Sequence, residues 1–555
     1  MEEIIQEALS KGIEMHAAGE FDLASQLYES IMKLQPNHAD ANHNMGLLKL
    51  DAGNDLEALP YLQRALVADS TIAQFWLSYI KALIKLERLS EAGRILDQAK
   101  ESGFDDKQFE QLRRALISSI ESGKNAVLST TEFEEQNSKL IKEWLAIIEG
   151  LEGPQQIDNK VIDKIIQGVH EGANFAIHHC SGINLPSLDR LLTKISDIVR
   201  SRQNPKNCQA SPGKSMILVS ELYIWGGHSR IVEDIVAQTT DEVLVVITDY
   251  FGSFSSGQLR LEQVYQRLEN ASVVCIPHGS NIEKVFSITN MINLLCPSNL
   301  FILLHHDDAV GYVATKSHKV IGLKDFFIHH ADHNPTLGAS LKYEKHLDTT
   351  REYRQACTDL GCENCETLPL FVEDRGMKTP KIIDGFMNFA SVGSSNKFTF
   401  EGELDHSVRI ADCLETISQG RFVHIGPLNE SSLVKIKESL KTRGINLDRF
   451  VHIEHVPSVW QAFLDLDIHC LIGSAPFGGG RTALEAQGAG LPAIFYHPRK
   501  VSSIYASQDL SWKNHKNLKK IILKVADNYL EYSNNSRQFY LKFYNLERFK
   551  ECLCL

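Results

Sequence analysis

Residues 474–495 have the composition of a loop that binds a phosphate group. A segment that ends in an apolar run, residues 465–473, predicts a buried strand before it, and three consecutive glycines ending at Gly480 follow. Glycines let the backbone turn sharply and come close to a ligand. A helix predicted from Thr482 would direct its free N–H groups and the positive end of its dipole at an anion. The loop matches neither Gly-Lys-Ser/Thr nor a complete Gly-x-Gly-x-x-Gly, so it predicts phosphate binding without indicating a class of ligand.

A histidine follows the first predicted strand of the α/β part, residues 215–220. Gly226 and Gly227 lead into a helix there, and His228 lies near its start. An imidazole with an ordinary pKa near ~6.5 suits a general base that takes the proton of an attacking hydroxyl. The alternative is that His228 only caps or orients its helix, and the residues alone leave both interpretations open.

Two runs rich in histidine and aspartate follow the fourth and fifth predicted strands. The first is residues 305–308, and the second is residues 329–338, which contain Asp332 and His333. Imidazole and carboxylate groups are common ligands of divalent metals, so one hypothesis is a metal site. The other hypothesis is a set of hydrogen-bonding groups that face a ligand.

Three cysteines, Cys357, Cys362 and Cys365, lie close together in the chain. With His346 as a fourth ligand they could hold zinc, or an iron–sulfur cluster with a further cysteine. The second Cys-x-x-Cys that would complete such a site is absent from the sequence. We therefore favour a loop with reduced thiols at the end of a helix predicted over residues 343–360.

The elements that position these residues alternate between strands and helices from Lys214 onward, which is typical of a doubly wound parallel sheet. The predicted strands are residues 215–220, 242–247, 271–276, 300–304 and 325–329. A second region of this kind begins near Gly385, with strand and turn segments at residues 388–392, 421–428 and 450–457. From Asn514 an amphipathic helix is predicted, with apolar positions Leu518, Ile521, Ile522, Val525 and Leu530. Ligands of such sheets bind at the carboxyl ends of the strands, where the candidate residues lie.

Residues 1–122 form a repeat array. Ala24, Ala58 and Ala92 are spaced 34 residues apart, and so are Gly12 and Gly46. This period is the signature of tetratricopeptide repeats, which are pairs of antiparallel helices stacked in a solenoid. Residues 104–122 are predicted to form a capping helix. Such an array typically binds a peptide or a protein in its groove, or joins subunits of a homo-oligomer.

The charge and composition exclude some classes of partner. A net charge of −13 argues against non-specific binding of nucleic acids or membrane surfaces, both of which need basic protein surfaces. The sequence has neither an apolar run long enough to span a membrane nor a signal-peptide pattern at its acidic start. The 11 scattered cysteines indicate a reducing compartment, so we expect a cytoplasmic protein.

Residues 474–495 resemble the C-terminal nucleotide-sugar motif of GT-B glycosyltransferases, in particular that of the O-GlcNAc-transferase-like group and its bacterial relatives. The resemblance implies that Gly479, Gly480, Arg481 and Thr482 bind the donor diphosphate. It also implies that Glu485 binds the ribose hydroxyls. Retaining relatives carry a second glutamate where this chain has Phe477, so an inverting enzyme is expected.

The same resemblance implies further site residues in the two α/β regions. In the first, it places His228 beside acceptor and donor, behind the loop of Gly226 and Gly227, with Asp332 and His333 as secondary acid/base or acceptor contacts. In the second, the donor diphosphate would meet the loop of Ser395 and Lys397, and the loop of His455 and Val456 would contact the base. GT-B enzymes generally need no bound metal, so hydrogen bonding is favoured for the histidine-rich runs, and no cofactor is expected.

The expected fold is thus an α-solenoid followed by two Rossmann-like domains of the GT-B type. The predicted divisions are residues 1–122, a helical connector at 123–213, an acceptor domain at 214–380 and a nucleotide-sugar domain at 381–555. The expected function is transfer of a sugar from a UDP-sugar to a protein side chain. Two alternatives remain: transfer to a surface polysaccharide or lipid-linked glycan, and a non-catalytic scaffold that senses a nucleotide sugar.

Overall fold

The computed structural model describes most of the chain. The described residues are 2–86, 89–104, 106–123, 141–146, 157–180, 183–203, 207–222, 227–252, 266–277, 279–330, 334–377, 385–400, 402–475, 480–496 and 504–555, with the single positions 132, 135, 254 and 262.

Helices alone make up the first part of the chain, and strands alternate with helices after it. The helices of the first part are α1 (Glu2–Ala17), α2 (Phe21–Leu34), α3 (Ala39–Asp51), α4 (Asp55–Ala68), α5 (Ala73–Lys85), α6 (Leu89–Glu101), α7 (Lys107–Gly123), α8 (Asn159–His179) and α9 (Pro186–Arg202). The next elements are β1 (Cys208–Gln209), β2 (Ser211–Val219), α10 (Gly227–Gln238), β3 (Glu242–Ile247), β4 (Ala271–Cys275), α11 (Asn281–Leu295), β5 (Pro297–Leu303), α12 (Ala309–Ser317), β6 (Val320–Ile321), β7 (Lys324–His329), β8 (Lys345–Asp348), α13 (Arg351–Asp359) and β9 (Cys365–Thr367). The last are β10 (Phe389–Val392), α14 (His406–Thr416), β11 (Phe422–Ile425), α15 (Glu430–Thr442), β12 (Phe450–Ile453), α16 (Val459–Asp465), β13 (Cys470–Ile472), α17 (Gly480–Gly488), β14 (Ala493–Tyr496), β15 (Ser511–Trp512), α18 (His515–Asp527), α19 (Tyr529–Phe543) and α20 (Leu546–Leu553).

The helices α1 to α6 repeat with the predicted period. The second helix of each pair, α2, α4 and α6, starts 34 residues after the one before. Ala24, Ala58 and Ala92 are fully buried on these helices. A Cβ on Gly12 would lie 2.6 Å from the Tyr28 ring, so a larger residue there would separate two neighbouring helices. The spacing agrees with the repeat prediction, while the assignment to tetratricopeptide repeats stays a prediction.

The chain divides into two compact units. The first comprises Met1–Tyr223, Val243–Leu323 and His333–Leu341. The second comprises Ile224–Glu242, Lys324–Asp332 and Lys342–Leu555. The first therefore contains the helical array and the neighbouring strands β4, β3, β2 and β5, in that order. The predicted domain boundaries at residues 122, 213 and 380 stay predictions.

The second unit contains a six-stranded sheet of parallel strands in the order β12-β11-β10-β13-β14-β15. The strands are short and rich in Val, Ile and Phe because both faces of the sheet are covered. One face packs on a core that includes Phe389 and Trp512, and the other on a core that includes Trp460 and Leu484. This is the doubly wound arrangement expected for the second α/β region.

One predicted helix is partly wrong. Residues 343–360 were expected to be helical throughout, but residues 345–348 form strand β8, which pairs with β7 on one side and β9 on the other. The helix α13 begins only after Thr350, whose hydroxyl accepts a hydrogen bond from the Tyr353 N–H at 3.3 Å. The side chains of β8 are buried by their neighbours in the sheet, and the local sequence does not reveal this burial.

The last helices pack on the second unit through both apolar and polar contacts. Leu518, Ile521, Ile522 and Val525 of α18 are buried as predicted, whereas Leu530 on α19 is exposed. Arg537 of α19 pairs with Asp374 at 2.8 Å, and the Tyr540 hydroxyl donates to the Val372 carbonyl at 2.5 Å. None of the described helices combines the length and the apolar character that crossing a membrane requires.

Candidate functional site

The strongest ligand site of the second unit lies where its six-stranded sheet reverses direction. From β10 the chain continues outward to β11 and β12, whereas β13 lies on the other side of β10 and leads to β14 and β15. Ligands of open parallel sheets bind at such a switch point, outside the carboxyl ends of the two central strands. Residues after β10 and β13 meet there, because the Thr399 N–H donates to the Ala475 carbonyl at 3.4 Å. The structure thus places the predicted Lys397 loop and the start of α17 after adjacent strands.

Lys397 supplies an exposed cation at this switch point. It ends a short 3-10 turn that begins at Ser395, directly after β10. Its side chain is exposed, yet nearby protein atoms displace part of its hydration, which lowers the pKa of the amine. Among the residues that the structure describes, no carboxylate pairs with this ammonium group. A lysine in this position is suited to bind an anion.

Ser395 has a positioning role in the same loop. Its N–H donates to the Pro427 carbonyl at 3.0 Å, and its hydroxyl accepts from the Asn429 N–H at 2.9 Å. These bonds fasten the turn after β10 to the turn after β11. The hydroxyl thus helps to hold the loop that carries Lys397, while the predicted contact of Ser395 with the donor stays a prediction.

A buried chain of hydrogen bonds supports the start of this loop. The His424 Nε2 lies 3.0 Å from the Gly393 carbonyl, which can only accept, so this nitrogen carries the proton. The His424 Nδ1 therefore accepts from the Ser391 hydroxyl at 2.8 Å, and the Ser391 oxygen accepts from His406 Nε2 at 3.1 Å. Burial lowers the pKa of His424 to about 3 and that of His406 well below its usual value, so both rings are neutral. Nothing in the local sequence predicted this series of hydrogen bonds.

The two turns approach each other closely at Gly426. Its φ is +130°, and a Cβ there would lie 2.3 Å from the Gly393 carbonyl oxygen. Only glycine fits between backbones at that distance. The loop after β10 is therefore held by the loop after β11 through both packing and hydrogen bonds.

Arg409 adds a buried positive charge under the same edge of the sheet. It lies on α14, is fully buried, and donates from Nη1 to the Gly473 carbonyl at 3.0 Å, directly after β13. Its guanidinium also lies over the rings of Phe398 and Trp512. Burial lowers its pKa only to about 10, so it remains charged at neutral pH. Nothing in the sequence marked this residue, because it lies inside an ordinary amphipathic helix.

The helix α17 begins at the opposite side of the switch point. Gly480 is its first residue, and a Cβ there would lie 3.0 Å from Ile504, so close packing explains this glycine. Arg481 and Thr482 follow in the first turn, where free N–H groups and the helix dipole favour an anion. The Arg481 guanidinium is engaged by Asp234 of α10 at 2.8 Å. Its side chain is thus fixed by a carboxylate, which leaves the helix N–H groups and Lys397 as the groups that could bind a diphosphate directly.

Glu485 lies one turn further along α17 and is partly buried. Burial raises the pKa of its carboxyl from its usual value to about 7, although Arg481, Arg230 and Arg375 act in the opposite direction. A carboxyl group whose pKa is shifted this far is typical of a binding or catalytic site. Its position on α17 is compatible with the predicted contact to ribose hydroxyls.

His228 lies at the start of α10, in the same unit as Lys397 and α17. Its ring contacts that of His330, which follows β7, with the ring centres 4.5 Å apart and the ring planes tilted by 45°. Its Nδ1 is shielded from solvent. Asp234, which holds Arg481, lies six residues further along α10, or about 9 Å along the helix axis. The structure therefore joins the helix of His228 to the helix of Glu485.

The remaining predicted residues are less informative. His455 and Val456 follow β12, an outer strand of the sheet, and Val456 packs partly against the core. Gly227 starts α10, with open space where a Cβ would lie. Gly226, Asp332, His333 and Gly479 lie outside the described residues, and their roles stay predictions.

In the first unit, the run at residues 305–308 has mainly a structural role. Asp308 accepts hydrogen bonds from the hydroxyls of Ser220 and Thr248, at 2.6 and 2.7 Å, and from the Gly311 N–H. The cavity beside it has a volume of about 60 Å³, room for a few water molecules only. The carboxylate holds the ends of three neighbouring elements together.

Comparison with known proteins finds matches among solved structures. No protein-family model matches the sequence, and no curated protein matches it. A mutant of the Thermobaculum terrenum O-GlcNAc transferase is 13% identical and aligns over 99% of this chain and 95% of its own, with a TM-score of 0.43. The lipopolysaccharide outer core galactosyltransferase WaaB is 14% identical over 61% of this chain and 97% of its own, with a TM-score of 0.44.

A third match is the Anabaena protein HepE in complex with UDP and glucose. It is 11% identical over 61% of this chain and 97% of its own, with a TM-score of 0.43. All three TM-scores lie below 0.5, so the likeness alone identifies neither the activity nor the substrate of this chain.

Proposed function

We propose that this chain is a glycosyltransferase whose donor is a UDP-sugar. The observation that carries the proposal is the switch point between β10 and β13, where the ammonium of Lys397 and the start of α17 follow adjacent strands. Two anion-binding groups on neighbouring loops suit a diphosphate. Glu485, one helical turn further, suits the ribose. The sequence motif at residues 474–495 resembles that of UDP-sugar enzymes and supports the choice of donor.

The reaction we propose is an inverting single displacement. An acceptor hydroxyl or amide attacks the anomeric carbon of the sugar, the bond from that carbon to the diphosphate oxygen breaks, and UDP leaves. Lys397 and the N–H groups of the first turn of α17 stabilise the charge that grows on the diphosphate. The acceptor proton goes to Nε2 of His228. No metal is required for any of these steps.

The acceptor in this proposal is a protein side chain that the helical array recruits. Support comes from the repeated helix pairs, which in solenoids expose a binding surface rather than chemistry. A polysaccharide or lipid-linked acceptor is the alternative outcome. Mass spectrometry of host-cell proteins after expression would distinguish them: sugar adducts on proteins, absent with an inactive variant, support a protein acceptor, and their absence alongside glycan products overturns it.

Turnover by a lysine variant tests the donor site. The purified chain is incubated with a panel of UDP-sugars and cell extract as acceptor, and UDP release is measured. Lys397→Ala should lower kcat at least ~100-fold, since one charged group on a leaving diphosphate contributes about 3 kcal/mol. Lys437→Ala, an exposed lysine on α15, is the matched control and should keep full activity. Circular dichroism checks that both variants fold.

The outcomes separate the alternatives. Binding of UDP-sugars without turnover by the unmodified chain would support a sensor and overturn the transferase proposal. Turnover that survives Lys397→Ala would overturn the diphosphate assignment. For His228, the pH profile decides: His228→Ala should remove the acid limb of kcat along with most of the rate, and an unchanged limb would overturn its role as base.

A further inference from the structure

A cluster of metal-ligating side chains lies in the second unit, on one face of the strands β7 and β8. His329 and Asp348 are paired across these strands, and His346 lies two residues before Asp348 on the same face. Cys357 reaches the cluster from α13. The ligand atoms of these four residues all lie within 4.8 Å of one another, and all four residues are buried. The sequence had pointed to His346 and the cysteines as one possible metal site and to the run at residues 329–338, which begins with His329, as another, but not to Asp348.

Several distances within the cluster are close to those between the ligand atoms of a tetrahedral ion. His329 Nδ1 lies 2.9 Å from Asp348 Oδ1, and His346 Nε2 lies 3.5 Å from the same oxygen. The Cys357 Sγ lies 3.2 Å from that oxygen and 3.6 Å from His329 Nδ1. Zinc bonds of ~2.0–2.1 Å to nitrogen or oxygen and ~2.3 Å to sulfur give tetrahedral edges of about 3.3–3.6 Å. The cluster therefore needs only small shifts to accommodate such an ion.

Unsatisfied polar atoms in the cluster indicate a missing partner. Both ring nitrogens of His346 and the Oδ2 of Asp348 are buried and make no hydrogen bond of normal geometry among the described residues, although His346 Nε2 lies 3.5 Å from Asp348 Oδ1. A buried polar atom left in this way costs about 1–3 kcal/mol, and an ion is one of its standard explanations. His346 and Asp348 are almost fully inaccessible to solvent, so bulk water is not the partner.

The two other cysteines predicted for this region border the cluster. The Cys362 thiol lies within hydrogen-bonding reach of both the His346 ring and the Cys357 thiol. The Cys365 thiol is in contact with Cys362 in turn. Both are only partly buried. Two further sulfur atoms are thus available as ligands at the more accessible side of the cluster.

A catalytic role fits the same residues poorly. Cysteine, histidine and aspartate together can form a nucleophile with its base, but a nucleophilic thiol must be reachable and easily ionised. The Cys357 side chain is fully buried. A hydrogen bond with Cys362 acts to lower the pKa of its thiol, but burial and the carboxylate of Asp348 together raise that pKa above its usual value. A closed site of this kind is typical of a structural metal.

We propose that this cluster binds one Zn²⁺ ion, with the His346 ring and the Cys357 thiolate among its ligands. A mixed set of imidazole, thiolate and carboxylate is the donor chemistry that zinc prefers. Binding releases the Cys357 proton to solvent, as thiolate coordination requires. With His329 among the ligands the ion would join β7, β8 and α13. It would then fix the end of β7, from which the next residue, His330, contacts the ring of His228.

The test is the metal content of the full-length chain. The protein is purified under reducing conditions, dialysed, and analysed by mass spectrometry of its metals and by X-ray absorption at the zinc edge. We expect about one zinc per chain. One sulfur ligand in the absorption spectrum would mean that His329 and Asp348 complete the site, and three would mean that Cys362 and Cys365 do; either result supports the proposal.

Variants locate the ion. His346→Gln and Cys357→Ser should each lower the zinc content at least ~10-fold, whereas Cys470→Ser, a buried thiol on β13, should leave it unchanged. Chelation should also lower the Tm of the unmodified chain, a result that does not depend on whether the variants fold. The proposal is overturned if the unmodified chain holds below about a tenth of an equivalent of zinc, both as purified and after zinc is added to the reduced protein.

Discussion

Binding of a UDP-sugar should be coupled to the loss of a proton from Glu485. Burial raises the pKa of this carboxyl to about 7 in the unliganded protein. Ribose hydroxyls that donate hydrogen bonds to the carboxylate favour its ionised form, so they lower the pKa in the complex. The donor should therefore bind more tightly as the pH rises through 7, and its affinity should level off above that.

The magnitude follows from the pKa of about 7. At pH 6.5 about three-quarters of the free protein carries the proton, so binding releases about 0.75 proton if the pKa in the complex falls well below 6. Between pH 8.5 and pH 6 the affinity should then weaken about tenfold, because at pH 6 only about one molecule in eleven is already ionised.

Calorimetry measures both quantities. Titration of the protein with a UDP-sugar, in buffers of different ionisation enthalpy and without acceptor, yields the protons released per binding event. Glu485→Gln is the matched control, since an amide of the same shape does not titrate. It should bind more weakly than the unmodified protein at pH 8.5 and show neither proton release nor a change in affinity with pH.

Two results would refute the reasoning. One is an affinity of the unmodified protein that stays constant from pH 6 to pH 8.5. The other is the same proton release in the Glu485→Gln variant, which would assign the linkage to a different group.

Three further predictions concern stability. Gly426→Ala should lower the free energy of unfolding by at least about 2 kcal/mol more than Gly444→Ala does. Both glycines have positive φ, but only a Cβ at position 426 would meet a backbone carbonyl. Equal midpoints of urea denaturation for the two variants would contradict this prediction. A double-mutant cycle on Asp234 and Arg481 should give a coupling of about 1 kcal/mol in urea denaturation, and zero coupling would contradict the ion pair. Glu485→Gln should stabilise the unliganded protein by up to about 3 kcal/mol at pH 8.5 and by under about 1 kcal/mol at pH 5. The reason is that an acid with a raised pKa in the folded state costs stability only where the pH exceeds its pKa in the unfolded chain. An equal gain in stability at both pH values would contradict burial as the cause of the shift.

Strands buried on both faces were predictable from the sequence. The strand β3 was expected at residues 242–247 and lies there. A short run of Val, Leu and Ile bounded by polar residues is typical of a parallel strand that is buried on both faces. The strand β8 was missed. Its buried face carries His346 and Asp348, whose polar side chains lie inside only because they meet His329 and Cys357. Burial of that kind depends on partners that are distant in the sequence or on another strand.

The candidate donor site was predictable to a similar extent. Loops after parallel strands meet at one edge, so the positions of Lys397 and α17 followed from counting strands. The ion pair between Asp234 and Arg481 did not, since it joins residues 247 positions apart. Arg409 escaped for a related reason, because a charged residue on a helix is ordinarily solvated and nothing local marks it as buried.

The neutral imidazoles behind the Lys397 loop bear on how any rate profile of this protein should be interpreted. With the pKa of His424 near 3 and that of His406 still well under its usual range, neither ring gains or loses charge in ordinary buffers. The support of the loop is therefore insensitive to acidity across the neutral range. A change of rate with acidity in that range would have to arise at other groups, and Glu485 and His228 are the first two to substitute when assigning it.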